Sequence, residues 1–418
     1  MAVAIAIGFA AVPYAVAIGS PLRLSPDSLT YLAVADRIPL APTAQIYPPG
    51  YPALLRGAEH IGLGNAWGFV VVNLLLLAVG VIAVFFLCRR ALDLSPTVAA
   101  LVCLAVLLAR PFTDLTPTLL SDVPSFGGAM VSLAALTTAE RRAGRGRLAW
   151  LVAGAALAAA TISIRVQGIA LVPAVVAVAV GRARWAAVGR LARRHRTVAA
   201  SIAVASVLVL GGLAVLVLET TSYAQDITTV WRDIHGVGDL LDRVRVEAAA
   251  KLDSVGELGT QGYCCGGRVP MVFSELAGIM LIALVALGMW CRGRFGAIEV
   301  FVLSTAAIVV LYAGGIPRFW VGALPFLIVY VGLAAQRLTR LRVARIAFGL
   351  FATGYAIAGL AAGVHSIRLS TAGRGFPDAW ASQVVSAPMI AAYRISFGEI
   401  PPTRRPIVNL IALRELRR

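Results

Sequence analysis

Four charged side chains stand at the edges of long apolar stretches in this sequence. Two are carboxylates, Asp27 and Asp122, and two are arginines, Arg165 and Arg318. A charge at such a boundary is costly unless it is paired or faces a wet cavity. A guanidinium can hold a phosphate through two hydrogen bonds. The two arginines are therefore candidate anion ligands, and the two carboxylates are candidate functional groups.

Each of these residues also has a purely structural interpretation. Ser25 and Pro26 suit the N-cap and first position of an amphipathic helix running to about residue 38, which places Asp27 in a first turn that favours negative charge. Asp122 similarly follows Ser121 at the start of an apolar stretch. Isolated arginines at a membrane boundary commonly extend to the interface. Both interpretations stay open from these patterns alone.

An aromatic turn follows the first of these helices. Its sequence is Tyr47-Pro48-Pro49-Gly50-Tyr51-Pro52. Prolines and a glycine are typical of a packed loop that returns to the membrane. The functional alternative is an aromatic wall for a sugar or a lipid headgroup.

The composition is that of a membrane protein. Of 418 residues, 59% are hydrophobic and 14% are charged, and mean hydropathy is +0.85. Soluble domains have about 45–50% apolar and about 25% charged residues. Basic residues number 37 against 20 acidic ones, giving a net charge of +17, and Lys251 is the single lysine.

Apolar stretches long enough to cross about 30 Å of hydrocarbon recur along the chain. They are predicted at about 1–19, 66–88, 95–111, 122–139, 148–163, 167–181, 197–218, 271–291, 297–315, 319–336 and 344–364. The sequence therefore predicts an all-α polytopic membrane protein with about 11 transmembrane helices. Residues 1–364 form the predicted bundle, with long loops over 20–65 and 219–270, and residues 365–418 form a predicted extracytoplasmic or interfacial tail. A second amphipathic helix is predicted at 239–252.

The arginines orient this bundle. Five short loops on one side hold 18 of the 37 basic residues: Arg89, Arg90, Arg141, Arg142, Arg145, Arg147, Arg182, Arg184, Arg190, Arg193, Arg194, Arg196, Arg292, Arg294, Arg337, Arg340, Arg342 and Arg345. Arginines collect on the cytoplasmic side of membrane spans. The sequence predicts a cell-membrane protein with its N-terminus in the cytoplasm and both long loops outside. The spread over five loops argues against a nucleic-acid partner.

Several other chemistries find no support in the sequence. The four histidines are scattered, and no HExxH, Walker A, GxGxxG after a strand or GxSxG motif is present. Nucleotide-driven transport and zinc proteolysis are thereby disfavoured. Cys264 and Cys265 are adjacent in an outer loop, where a disulfide between them would be strained, and their pairing stays open.

Five short motifs occur in a particular order along residues 1–335. They are Asp27-Ser28-Leu29-Thr30-Tyr31, the aromatic turn, Ser121-Asp122, Arg165-Val166-Gln167-Gly168 and Pro317-Arg318-Phe319. The order resembles the GT-C superfamily of integral-membrane glycosyltransferases, in the style of the protein O-mannosyltransferase and lipid A aminoarabinose transferase groups. Ser28, Val166 and Phe319 depart from the residues common in those groups, Glu, Pro and Tyr respectively.

The resemblance implies a role for each motif. Asp27 corresponds to the acceptor-activating base, and Asp122 to a second acidic residue that positions the acceptor or binds metal. Arg318 and Arg165 are implied to bind the donor phosphate. Further substrate contacts are assigned to Tyr31, Tyr47, Tyr51 and Gln167. No cofactor is firmly implied, and a divalent metal stays an open alternative.

The implied activity is transfer of a hexosyl or pentosyl group from a polyprenyl-phosphate donor, with inversion at the anomeric carbon. The acceptor would be a glycan, lipid or protein of the cell envelope, met on the outer face of the bilayer. One alternative is a polysaccharide flippase or polymerase, which shares the phosphate clamp and needs no base. A secondary transporter is another, although transporters often show internal repeats and none is visible here.

Overall fold

The computed structural model describes most of the chain. It covers residues 2–18, 22–35, 47–181, 236–261, 263–264, 267–268, 271–312, 317–340 and 342–371. The predicted stretch at 197–218 and most of the tail lie outside the described residues.

The described residues are almost entirely helical. The α-helices are α1 (Ala2–Ile18), α2 (Pro26–Val34), α3 (Gly50–His60), α4 (Ala66–Arg90), α5 (Pro96–Leu108), α6 (Arg110–Leu115), α7 (Asp122–Arg141), α8 (Gly144–Ile164), α9 (Leu171–Val180), α10 (Val237–Thr260), α11 (Met271–Arg292), α12 (Ala297–Leu311), α13 (Leu324–Leu338) and α14 (Arg342–Thr371). Short 3₁₀ helices occupy Val166–Ala170 and Pro317–Trp320. Two-residue strands, β1 (Tyr263–Cys264) and β2 (Gly267–Arg268), pair antiparallel. This confirms the all-α prediction.

Membrane-spanning character is clear from length and composition. Four described helices are long and apolar enough to cross a bilayer: Ala66–Arg90, Gly144–Ile164, Val272–Arg292 and Arg342–Arg368. Shorter apolar helices coincide with the predicted stretches at the start of the chain, 95–111, 167–181, 297–315 and 319–336. Helix α7 coincides with the predicted stretch 122–139. Exposed Leu75, Ile82 and Trp290 give the bundle an apolar exterior, as a lipid environment requires. The chain is a multi-pass membrane protein.

Contacts between distant loops divide into two groups. In the first group, Asp93 forms salt bridges with Arg141 at 3.3 Å and with Arg294 at 3.4 Å. In the same group, a Glu140 carboxylate oxygen accepts a hydrogen bond from the Ala297 amide at 3.1 Å. All of these belong to or adjoin the predicted cytoplasmic loops. The other group consists of contacts between residues at the helix ends that are predicted to face outside. The predicted alternation of loops therefore agrees with which loops meet.

Backbone pairing joins the segment before α2 to the segment before α7. The Arg23 amide donates to the Pro117 carbonyl at 2.7 Å, and the Leu119 amide donates to the Arg23 carbonyl at 2.9 Å. Ser28 Oγ also donates to the Leu119 carbonyl at 2.7 Å. Buried Asn73 of α4 donates to the Thr116 and Thr118 carbonyls. Because these bonds satisfy buried backbone groups, they fix the two acidic helix starts side by side.

Helix α10 supports this end of the bundle. It lies within the predicted second long loop and packs along α11. Exposed Leu241, Val244 and Val246 leave it an apolar outer face. Ser254 Oγ accepts from the Trp320 indole at 3.2 Å. Lys251 Nζ donates to the Tyr312 carbonyl, next to the 3₁₀ helix that carries Arg318.

Three predicted boundaries need correction. The helix at Asp27 ends at Val34 rather than near residue 38. Helix α10 continues to Thr260, beyond the predicted end at 252, because Val255 and Leu258 extend its buried face. The last apolar helix reaches Thr371, so seven residues assigned to the tail continue the helix. Cys265 lies outside the described residues, and the pairing of Cys264 stays open.

Candidate active site

Asp27 lies in the first turn of α2, and its side chain forms hydrogen bonds with residues of other segments. The Ser25 amide donates to Ser28 Oγ at 2.8 Å, which closes the start of the helix. Asp27 Oδ2 accepts from Arg318 Nη2 at 2.8 Å, and its Oδ1 accepts from the Tyr47 hydroxyl at 3.0 Å. The carboxylate thus joins two other predicted site residues and is not only a helix-dipole partner.

Arg318 lies in the 3₁₀ helix Pro317–Trp320, and its side chain remains 26% exposed. Burial acts to lower the pKa of this guanidinium, but the nearby Asp122 and Asp27 carboxylates outweigh that effect and raise its pKa above the usual value. Arg318 is therefore a fixed cation that faces two carboxylates and keeps a route to solvent.

Asp122 and Arg165 form a second ion pair, which is buried. Arg165 Nη1 donates to Asp122 Oδ2 at 3.0 Å, and the two side chains are 6% and 1% exposed, respectively. Arg165 also donates to Ser121 Oγ at 3.1 Å. The pair closes inside the bundle, so Arg165 does not extend to the membrane interface. Ser121 makes no capping hydrogen bond to α7.

Phe319 connects the two ion pairs. Its ring centroid lies 5.5 Å from the Arg165 guanidinium carbon and 5.8 Å from that of Arg318. A cation within about 6 Å of an aromatic face is attracted to it. Tyr312 packs edge-on against the same ring at 4.7 Å. The two arginines, 153 residues apart in sequence, are therefore held on one aromatic platform.

The three predicted tyrosines form one cluster with unequal access. Tyr31 packs against Tyr47 at 5.0 Å and against Tyr51 at 4.7 Å between ring centroids. Its hydroxyl lies 2.7 Å from Ser121 Oγ. Tyr31 and Tyr51 are only 2% and 1% exposed, so their rings support the site from within. Tyr47 is partly exposed and bonded to Asp27, which leaves it as the tyrosine best placed to meet a substrate.

A small cavity of about 40 Å³ adjoins both ion pairs. Two buried oxygens of lining residues, Asp122 Oδ1 and Gln167 Oε1, have no hydrogen-bond partner. The lining consists of Asp122, Ser125, Phe126, Ala129, Arg165, Gln167, Gly168, Phe301, Thr305, Arg318, Phe319, Val321 and Gly322. The structure thus brings Gln167 to the same site as both predicted arginines and Asp122.

The residues present do not supply a donor set for a divalent metal. Within the described ranges, no group of three or more His, Cys, Asp or Glu side chains comes together. Asp27 and Asp122 each hold an arginine instead. Metal ions in proteins with oxygen ligands usually take several carboxylate or carbonyl groups. The charged groups available at the site are therefore carboxylates and guanidinium groups.

The turn carrying Arg165 and Gln167 depends on Gly168. A Cβ on Gly168 would lie 2.8 Å from the Ile162 amide nitrogen and 2.9 Å from the Thr161 carbonyl carbon. Since both are backbone atoms, Gly168→Ala is expected to push the turn away from α8 and to cost about 1–3 kcal/mol of stability. Thermal unfolding in detergent measures this. Gly146→Ala, with nothing within 4 Å of its Cβ, is the control, and equal stability of the two variants would contradict the prediction.

Sequence comparison identifies a family match over part of the chain. Residues 47–225 match the model of the dolichyl-phosphate-mannose-protein mannosyltransferases. No curated relative matches the chain in sequence. The matched region includes the aromatic turn, Asp122, Arg165 and Gln167.

Two solved structures resemble the chain remotely. They are ArnT from Cupriavidus metallidurans bound to undecaprenyl phosphate, with 18% identity and a TM-score of 0.40, and the same protein in the apo state, with 19% and 0.39. Each comparison covers 93% of this chain and 80% of the other. Similarity at this level carries no argument about the site. The match over residues 47–225 includes three of the five motifs and supports their resemblance to the GT-C integral-membrane glycosyltransferases.

Proposed function

We propose that this protein transfers a sugar from a polyprenyl-phosphate donor to a hydroxyl of an extracytoplasmic acceptor, with inversion at the anomeric carbon. The observation that carries the proposal is the meeting of the Asp27–Arg318 and Asp122–Arg165 pairs at Phe319. The site combines an accessible carboxylate with two fixed cations. The name of the matched family supplies the donor class, since dolichyl phosphate is a polyprenyl phosphate.

Asp27 is the proposed general base. It takes the proton of the acceptor hydroxyl as that oxygen bonds to the anomeric carbon. The bond between the anomeric carbon and the phosphate oxygen breaks, and its electron pair leaves with the polyprenyl phosphate. Tyr47, bonded to Asp27 Oδ1 at 3.0 Å, orients the base and borders the incoming sugar.

Arg318 is the proposed main ligand of the leaving phosphate. Fixed cations stabilise the charge that develops on a leaving group in a site from which water is excluded. Arg165 contributes its positive charge from its position beside the Phe319 ring, although its pairing with buried Asp122 limits direct contact. Arg165 is therefore the secondary member of the clamp.

The difference in exposure between the two carboxylates supports inversion at the anomeric carbon. A retaining mechanism needs a second carboxylate that can attack the anomeric carbon. The Asp122 side chain is 1% exposed and bonded to Arg165. That leaves Asp27 as a single base for a single displacement. Asp122 is proposed to position substrate rather than to form a bond with it.

The function is tested with purified protein and a panel of hexosyl and pentosyl polyprenyl phosphates. Release of polyprenyl phosphate that depends on added acceptor, without any nucleotide, is the expected result. The product should have the anomeric configuration opposite to that of the donor, as read by NMR. Absence of release with every donor, or a retained configuration, would reject the corresponding part of the proposal.

The proposed orientation places this site outside the cytoplasm. In a variant lacking the five native cysteines, a cysteine at exposed Arg245 of α10 should react with an impermeant thiol reagent in intact cells. A cysteine at Arg190, in the predicted cytoplasmic loop, should react only after permeabilisation. The reverse pattern would overturn the orientation and the side assigned to the site.

A further inference from the structure

Residues that line the cavity beside the two ion pairs carry buried oxygen atoms without hydrogen-bond donors. Asp122 is 3% exposed, and its Oδ2 is bonded to Arg165, while its Oδ1 has no partner. The Oε1 atom of Gln167 is also buried without one. Buried oxygens without a donor are rare in folded proteins because each forfeits its hydrogen bonds to water. Two of them on residues that line one cavity indicate an occupant that donates hydrogen bonds.

The surroundings restrict that occupant to a neutral donor. A metal cation would be repelled by Arg165 and Arg318, which line the same cavity. An ammonium group would meet the same repulsion, and the charge of Asp122 is already balanced by Arg165. A carboxylate oxygen and an amide oxygen both accept hydrogen bonds from hydroxyl groups. Hydroxyl groups are therefore the donors that fit.

The size of the cavity indicates how much of the occupant enters. Its volume of about 40 Å³ is a few times the roughly 10–15 Å³ that a cavity needs in order to hold one water. A whole sugar ring would not fit there, whereas a ring edge with a hydroxyl or hydroxymethyl group would. Arg318 borders the cavity and contacts Asp27, so this edge would lie next to the reacting centre.

We propose that the cavity receives a hydroxyl-bearing edge of the transferred sugar, which donates to Asp122 Oδ1 and Gln167 Oε1. The inference rests on the proposed function and adds to it the class of sugar. The enzyme selects a neutral, hydroxylated sugar and discriminates against the analogue that is deoxygenated or aminated at that edge.

The test uses the best donor from the polyprenyl-phosphate panel and its single-deoxy analogues. With the wild-type protein, loss of one hydroxyl should lower kcat/KM by about 10–10²-fold, because the buried acceptors then stay unpaired, and loss of the others should matter little. The amino analogue at the same position should be a comparably poor donor. Gln167→Leu should lower kcat/KM for the full donor and should reduce the penalty for that one deoxy analogue.

A matched control is Gln336→Leu, the same substitution at an exposed position of α13, which should keep the wild-type deoxy profile. Equal kcat/KM across the deoxy series, or an unchanged penalty in Gln167→Leu, would overturn the inference while the transferase activity stands. No turnover with any polyprenyl-phosphate sugar would reject the proposed function, and this inference with it.

Discussion

Replacing Asp27 with asparagine is expected to lower turnover by about 10²–10⁴-fold, the usual contribution of a positioned general base. Asparagine keeps the size of the side chain and one oxygen that can accept from Tyr47 or Arg318, whose bonds to Asp27 are 3.0 and 2.8 Å. It cannot take a proton from an acceptor hydroxyl. The variant should therefore fold and bind donor while failing to transfer the sugar. Turnover and donor binding are measured on the same preparation.

Asp93→Asn is the control for this experiment. Asp93 is a half-exposed residue that makes ion pairs with Arg141 and Arg294 in the predicted cytoplasmic loops. Exposed pairs contribute about 0–1 kcal/mol, and asparagine tolerates the positive φ of 55° found there. Near wild-type turnover is expected. A folded, fully active Asp27→Asn protein would exclude Asp27 as the base.

Replacing Arg318 with lysine is expected to weaken donor binding by about 10–10²-fold despite the unchanged charge. A guanidinium presents a planar set of donors that matches a phosphate, whereas a lysine ammonium cannot reproduce two parallel hydrogen bonds. Loss of one hydrogen bond to a charged group accounts for an effect of this size. Lysine also loses the planar contact with Phe319, where the Arg318 guanidinium lies 5.8 Å from the ring centre.

Arg337→Lys, at an exposed position near the other end of α13, provides the matched control. Donor affinity is measured by titrating a polyprenyl-phosphate sugar against each purified variant. If Arg318→Lys binds the donor as tightly as the wild type, Arg318 serves as the structural partner of Asp27 and not as the phosphate ligand.

Much of the helical framework could be predicted because its signal is local. Long apolar stretches predict helices directly, and the Ser25-Pro26 and Asn65 helix starts are visible as residue types. The arginine distribution placed the loops of Asp93, Arg141 and Arg294 on one predicted side, and these three residues meet in the structure. Helix α10 was harder to delimit, because Gly256 and Gly259 interrupt the apolar pattern where the helix packs closely against α11.

The pairing within the site could not be predicted in the same way. Asp27 and Arg318 are 291 residues apart, and nothing in the local sequence of either indicates the other. The aromatic turn left a packed loop and an aromatic wall as alternatives, because a tyrosine can also reach its hydrogen-bond partner from within a core, as Tyr31 does at Ser121. The central position of Phe319 was equally hidden, since an aromatic residue beside an apolar stretch is ordinary. Only the packing shows which rings remain accessible.

The ion pair between Arg318 and Asp27 affects the order in which the substrates bind. Under the proposed function, Arg318 serves two anions in turn, because the arriving phosphate competes with the Asp27 carboxylate for the same donors. Before donor arrival, Arg318 occupies the Oδ2 atom of the base. Donor binding draws Arg318 away from Asp27 and exposes the carboxylate. The donor substrate therefore activates the base that the reaction needs. Acceptors that reach an empty site would thus wait, and binding would be ordered with the lipid-linked sugar first.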